Sequence, residues 1–259
     1  MTKEALALAA VEAGWAIMEC YNRDFEVYEK EDKSPLTEAD IASHHVIMRH
    51  LEPTGLPVLS EEGKEMPYEE RSSWTDFWVV DPLDGTKEFL KRNGEFTVNI
   101  ALVKGNYPVE GIIYAPVLGE LYYTDQGKSW KMTEVFRPED LATGWDRVEQ
   151  IRVSEPEGGV IRIVGSRSHM NDDTTNYVEE LKNQFEQVEI TSKGSSLKFC
   201  LVAAGITHEY PRFAPTMEWD TAAGQAIVEA AGKQVIDRST GERMAYNKMK
   251  LLNNYFLVR

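Results

Sequence analysis

Two aspartates three residues apart, Asp81 and Asp84, enclose Pro82 and Leu83 and lead directly into Gly85 and Thr86. The run before them, Asp76-Phe77-Trp78-Val79-Val80, reads as a buried strand that stops at the first carboxylate. Pro82 keeps the chain from simply continuing the strand, so both carboxylates and the Leu83 carbonyl can converge on one point and offer oxygen ligands to a hard cation. Gly85 and Thr86 then open a helix over "TKEFLKR", and free amides at a helix start accept phosphate, so metal and phosphate can meet there. An Asp-x-x-Asp by itself is ordinarily a solvated turn. Further carboxylates at element ends argue against that here: Glu61 and Glu62 close the strand "LPVLSEE", and Asp220 in "MEWDTAAG" precedes a helix, where an ordinary N-cap is the plain alternative. Together they fit a divalent-metal cluster.

The elements that must position these groups are legible from periodicity. Leu6, Ala10, Ala13, Ile17 and Cys20 mark one stripe of a helix over residues 4 to 21. Pro35 forces an extended or turning chain, after which Thr37 caps a helix running to about Leu51, with Asp40 completing a capping box. "FTVNIALVKG", "VEGIIYAP" and "GELYYTD" continue the first half as strands of an antiparallel-rich sheet. A polar stretch from about Lys131 to Gln150 separates the halves, giving an N-terminal α+β subdomain over 1–145 and a C-terminal α/β subdomain over 146–259. The second half alternates: strand "VIRIVGS", helix "TTNYVEELKNQF", strand "VEITS", helix from Ser195 to Ala204, strand "THEYPRF", helix "DTAAGQAIVEAAG" and strand "KQVID". The fold class is mixed α/β in two packed subdomains.

Of 259 residues, 28 are Lys or Arg and 43 Asp or Glu, a formal charge of −15 with pI near 4.9. Without a basic block, binding to a nucleic-acid polymer or an anionic membrane surface is disfavoured. No apolar run approaches the roughly 18 residues of a membrane span, and the N-terminus lacks the pattern of a signal segment, so a cytoplasmic location is expected. Cys20 and Cys200 read as reduced core residues. His44, His45 and His50 lack the i, i+4 spacing of a two-histidine metal site and read as surface or partly buried helix residues.

The runs "KSPLTEAD", "LSEE", "VVDPLDGTKEFLKRNGEFTVNIALV", "SRSH", "GSSLKFCLVA", "YPRF" and "WDTAAG" resemble the inositol monophosphatase superfamily, and within it the bacterial CysQ-type 3'(2'),5'-bisphosphate nucleotidases. The resemblance spans nearly the whole chain and departs from it at residues 131–150. It implies a layered αβαβα sandwich and a lithium-sensitive, Mg²⁺-dependent phosphatase. It also implies that Glu61, Asp81, the Leu83 carbonyl, Asp84 and Asp220 hold two or three Mg²⁺ ions, with Glu62 in support. Thr86 and Glu61 would then activate water, and Asp40 with Thr37 would border a weaker metal position. A phosphomonoester is a dianion, and a chain at −15 needs such cations to bring hydroxide to phosphorus.

The implied substrate is adenosine 3',5'-bisphosphate, cleaved at its 3'-phosphate to AMP in sulfur assimilation; inositol or sugar phosphates are the alternative. A second phosphate needs cations or N–H donors away from the metals. Gly194, Ser195 and Lys198 at a helix start suit the 5'-phosphate, Arg212 can add a bidentate contact, and Gly85, Thr86 and Asp220 border the cleaved group. "GSRSH" ends a strand, so Ser166, Arg167, Ser168 and His169 can line the nucleotide side. A non-catalytic metal- or nucleotide-binding regulator would share the fold but should have lost Thr86, Glu61 or an aspartate, and a scaffold that binds partners through its acidic surface has only the charge and the 131–150 run behind it. The resemblance leaves open a peripheral association with the inner membrane.

Overall fold

The stripe Leu6, Ala10, Ala13, Ile17 and Cys20 is the buried face of helix α1 (Lys3–Tyr21). The computed structural model describes residues 1–23, 27–29, 35–165 and 171–259. A short hairpin, β1 (Val27–Glu29) with β2 (Pro35–Thr37), leads into α2 (Glu38–Leu51), whose start carries the capping box expected from Thr37 and Asp40. Next come β3 (Val58–Ser60), a single turn α3 (Tyr68–Arg71), β4 (Asp76–Asp84), α4 (Thr86–Leu90), β5 (Thr97–Lys104), β6 (Tyr107–Ala115), β7 (Glu120–Asp125) and β8 (Lys128–Met132). After a short α5 (Leu141–Gly144) the chain forms β9 (Val148–Ile151). The second half follows as β10 (Val160–Gly165), α6 (Asp172–Lys182), β11 (Gln187–Ser192), α7 (Leu197–Ala203), β12 (Tyr210–Arg212), α8 (Ala222–Ala231), β13 (Val235–Asp237) and β14 (Phe256–Val258).

Strands β3 to β9 form one seven-stranded sheet in chain order, antiparallel except for the parallel β3–β4 pair. The polar stretch from 131 to 150 is part of the first sheet. It supplies the end of β8 and most of β9, which returns along β8 as the sheet edge, so the first sheet extends past residue 145 to Ile151. These strands escape a reading of periodicity because Lys128–Met132 and Val148–Ile151 are short and half polar.

On one face of the sheet lie α1 and α2, which share a core with Trp78, Val80, Ile100, Ile112 and Tyr114. On the other lie α7 and α8, packed by Phe199, Ala223 and Ile227 against Phe77, Val79, Ala101 and Ile113. A second sheet covers them in turn. Its strands β12, β14 and β13 are antiparallel, and the parallel pair β10–β11 joins them through a bridge between Ile163 and Glu209. Alternation along β10 sends Val164 toward Phe199 and Tyr210 and sends Ile161 and Ile163 toward Val178 and Leu181 of α6. The order is thus helix, sheet, helix, sheet, helix, as the resemblance implied. Among the described residues no helix is long and apolar enough to cross a membrane, and both cysteines are buried and unpaired.

Helix α8 crosses β6 in close contact at Gly111. A Cβ at Gly111 would lie 2.6 Å from the Ala223 carbonyl oxygen and 2.9 Å from the Ala226 Cβ, and backbone atoms cannot rotate away. Gly111→Ala should therefore destabilise the fold by about 2 to 3 kcal/mol. Urea unfolding checks this: the midpoint should fall with an unchanged slope, and an unaltered midpoint would mean that α8 can shift freely on the sheet.

Candidate active site

The ladder between β4 and β5 is regular to the pair Asp81–Asn99 and resumes at Asp84–Thr97, so β4 carries one extra residue at Pro82-Leu83. Such a bulge bends a strand and re-aims its side chains, and Pro82, which has no N–H, suits a position outside the ladder. Three hydrogen bonds fix the bend. Leu83 N–H donates to Asp81 Oδ1 at 3.1 Å, Ser43 Oγ of α2 donates to the Pro82 carbonyl at 2.7 Å, and Thr86 Oγ1 approaches the Leu83 carbonyl at 3.5 Å. Gly85 then turns with φ +93°, where a Cβ would be strained and would sit 3.2 Å from Ser195 Cβ and 3.3 Å from the Glu95 carbonyl.

The bulge brings Asp81 to the end of β3, where Glu61 follows Ser60, and to the loop before α8, where Asp220 lies. One carboxylate oxygen from each of Glu61, Asp81 and Asp220 lies within 4.8 Å of the other two. Asp84 stands beside this trio, its Oδ2 accepting from Ser196 N–H at 2.5 Å and Asn99 Nδ2 at 3.4 Å. Enclosure by protein and mutual repulsion push the Asp81 and Asp220 carboxyls well above the usual range. Asp84 is pushed to about 6 by the same enclosure, offset by the Lys198 ammonium and the Ser196 amide. Hard oxygen donors at the end of a rigid strand, with more negative charge than nearby bases balance, fit a divalent cation. Asp220 does not cap a helix; its Oδ2 accepts from Met217 N–H at 2.8 Å, and the helix begins after Thr221.

Helix α2 borders the trio. Asp40 Oδ2 accepts from Thr37 N–H at 2.8 Å and Thr37 Oγ1 at 2.6 Å, which completes the cap, while Oδ1 faces Thr86 Oγ1 at 3.4 Å. His44, one turn on, meets Ser60 Oγ at 2.9 Å and so ties α2 to the residue before Glu61. Glu62 is half-buried next to Glu61.

Beside the carboxylates opens a cavity of about 340 Å³ lined by Asp84, Gly85, Glu88, Ser195, Lys198, Arg212 and Asp220, among others. Lys198 is buried and donates to the carbonyls of Ser195 at 2.5 Å and Lys193 at 3.3 Å; enclosure lowers its pKa to about 8 despite Asp84. Arg212 holds the Pro215 carbonyl through Nη2, while its buried Nε has no hydrogen-bond partner. The helix-start amides differ from expectation. Gly194 N–H is engaged by Glu95 Oε2 at 2.8 Å and Ser196 N–H by Asp84, and α7 begins only at Leu197 because Ser195 takes a left-handed φ of 43°. Ser166, Arg167, Ser168 and His169 lie outside the described residues.

Sequence reasoning passed over the residues that hold the acids in place. Asn99 is a buried amide in the middle of the apolar strand "TVNIALV", and that misfit was a usable signal: it bonds both Asp84 and Ser196. Glu218, two residues before Asp220, is fully buried and accepts from Asn247 N–H, Lys248 N–H and Lys248 Nζ at 2.7 to 3.0 Å. No local pattern indicates that, because its partners are 29 and 30 residues away.

The profile of the inositol monophosphatase family matches residues 1–255. The chain belongs to the inositol monophosphatase family. Within this family it is 48% identical over 239 residues to the 3'(2'),5'-bisphosphate nucleotidase CysQ of Salmonella typhimurium, covering 90% of this chain and 89% of that one. It is 47% identical over 230 residues to the protein of the same name in Escherichia coli K12, covering 87% and 86%. The crystal structure of CysQ from Bacteroides thetaiotaomicron superposes with a TM-score of 0.88 at 46% identity, covering 98% of this chain and 95% of that one. Enzymes of this family are metal-dependent, in keeping with the acidic trio.

Asp81, Asp84 and Asp220 are more basic in the fold than free carboxyls, so the metal-free folded state binds more protons than the unfolded chain above about pH 4. Their contribution to stability is present at low pH and lost as pH rises through the raised values. In excess EDTA, Asp81→Asn should melt several degrees above the wild type at pH 8, and the gap should close toward pH 4.5. Thermal melts across that range test this, and a gap independent of pH would show that the cluster stores no repulsion.

Proposed function

We propose that this protein is a Mg²⁺-dependent phosphatase that removes the 3'-phosphate of adenosine 3',5'-bisphosphate, yielding AMP and phosphate, in sulfur assimilation. One observation carries the reading: Asp220 belongs both to the acidic trio and to the wall of a cavity that presents Lys198 and Arg212. A metal end and a cationic end in one cavity suit a substrate with two phosphates. The relatives named 3'(2'),5'-bisphosphate nucleotidase, at nearly half identity over most of both chains, support the same choice.

In this reading Glu61, Asp81, Asp84, Asp220 and the Leu83 carbonyl hold two or three Mg²⁺ ions. Bound there, the cations offset the charge of the ester and lower the pKa of water. The chain's own groups do the rest. With its hydrogen turned from the Leu83 carbonyl to Asp40, which Thr37 pins, the Thr86 hydroxyl donates to Asp40 and keeps its oxygen lone pairs free to accept from and orient the attacking water. Glu61 takes the water's proton as the water oxygen bonds to phosphorus and the P–O3' bond breaks, and the proton returns through solvent to the leaving oxygen, which becomes the 3'-hydroxyl of AMP. Gly85 and Thr86 amides steady the cleaved phosphate. At the far end the orphaned Arg212 Nε–H and the Lys198 ammonium receive the 5'-phosphate, with Ser195 beside them. Gly194 shapes this wall through its backbone, since its amide is already engaged. Ser166 and His169 complete the nucleotide side. All the proposed ligands and Thr86 are present, which speaks against a non-catalytic regulator.

Phosphate release with Mg²⁺ should be fastest from adenosine 3',5'-bisphosphate, well above inositol 1-phosphate or fructose 1,6-bisphosphate; a preference for either of the latter would overturn the substrate reading. Asp81→Asn and Asp220→Asn should abolish turnover while circular dichroism stays native. Lys198→Ala and Arg212→Ala should each cost roughly ten- to a hundredfold in kcat/KM on the bisphosphate and much less on adenosine 3'-monophosphate. Li⁺ matches Mg²⁺ in size but carries half its charge, so LiCl should inhibit far more than NaCl or KCl at equal ionic strength, and three superimposable curves would leave only screening.

A further inference from the structure

The cavity wall carries two cations that the proposed mechanism does not use. Lys87 and Lys91 stand four residues apart on α4 and its C-cap, the element that begins at Thr86, and both line the same cavity as Lys198 and Arg212. On a helical turn such side chains are neighbours, with Cβ atoms about 6 Å apart. Both are exposed, whereas Lys198 is buried, so they stand at the mouth of the cavity and Lys198 lies deeper. Neither ammonium has a hydrogen bond or an ion pair among the described residues. Six other lysines, at 3, 131, 182, 193, 233 and 248, each hold a carboxylate.

The deeper cations are partly committed. Lys198 donates to two carbonyls and faces Asp84, and Arg212 spends Nη2 on the Pro215 carbonyl. The wall also carries Asp84, Glu88 and Asp220, so without the α4 pair its bases do not outnumber its acids. A phosphate dianion entering a protein at −15 crosses a repulsive field, and cations at a cleft mouth concentrate such a ligand locally.

We propose that Lys87 and Lys91 are specificity residues that close, from the cavity mouth, over the uncleaved phosphate that Lys198 and Arg212 receive from within, and that hand no proton to the reaction. The inference rests on the nucleotidase reading. The paired change Lys87→Gln with Lys91→Gln removes both charges and keeps a good helix former at each position. On adenosine 3',5'-bisphosphate with Mg²⁺, KM should rise about tenfold, roughly threefold per exposed ammonium, with kcat within about twofold. KM for adenosine 3'-monophosphate should stay within about twofold. Calorimetric titration with adenosine 5'-monophosphate should show a matching loss of affinity, and the Lys87→Arg, Lys91→Arg pair should restore it. Added NaCl should shrink the difference between wild type and variant.

Equal changes on both substrates, or unaltered affinity for adenosine 5'-monophosphate, would overturn the assignment. If the wild type fails to hydrolyse the bisphosphate, the nucleotidase reading falls, and the titration still decides the lysines. Lysine-dependent binding of the monophosphate then keeps the anion site, and lysine-independent or absent binding removes it.

Discussion

Carboxylate groups that repel one another are held within 4.8 Å at the end of β4, and most of the polar structure around them resists that repulsion. Asp81 is fixed by the bulge that Pro82 permits, and Asp84 by Asn99 and the Ser196 amide. The loop before α8 is anchored by Glu218, which draws in Asn247 and Lys248 from far along the chain, and Arg71 seals the same corner by donating to Asn247 Oδ1 and the Met249 carbonyl. None of these bonds cancels the charge on the trio. They restrict its movement, so the surplus negative charge remains available to a cation at little reorganisation cost.

The same logic explains how the layers cooperate. The seven-stranded sheet presents Glu61 and Asp81, whereas Asp220 comes from the loop leading into α8, which packs on that sheet's other face. The site is complete only where these layers meet. Gly111 lets α8 approach the sheet closely enough for this, and the apolar core of Phe77, Ala101, Phe199 and Ile227 sets the distance. Acids and bases then share one cavity: Asp220 of the trio, Asp84 and Glu88 line it together with Lys87, Lys91, Lys198 and Arg212. In a protein of strongly negative charge such local cations, rather than composition, let a cleft receive an anion.

Much of this was written locally. The Asp-Pro-Leu-Asp-Gly-Thr run determined where the strand ends and turns, because apolar β-formers, a proline and a glycine act on their own neighbourhood, but the strand does not stop at Asp81 as the run suggested: it passes a bulge and regains the ladder at Asp84 opposite Thr97. The Thr37–Asp40 cap and the stripe of α1 were equally local. The edge strand β9 and strand β14 were not legible, since each is four residues or fewer and draws its register from a partner strand.

The sequence by itself determined the donor types, the family pattern and the helices and strands that bear them. Only the tertiary structure decided which carboxylates meet. Glu61, Asp81 and Asp220 come from three separate segments, and the trio is closed by packing between layers that no local spacing encodes. It also decided which backbone amides remain for a ligand. The N–H of Gly194 was a natural phosphate donor by position, yet Glu95, 99 residues earlier, takes it, and Asp84 takes that of Ser196 in the same turn. A hydrogen-bond donor is claimed by whichever acceptor folding places within reach, and that depends on distance in space rather than along the chain.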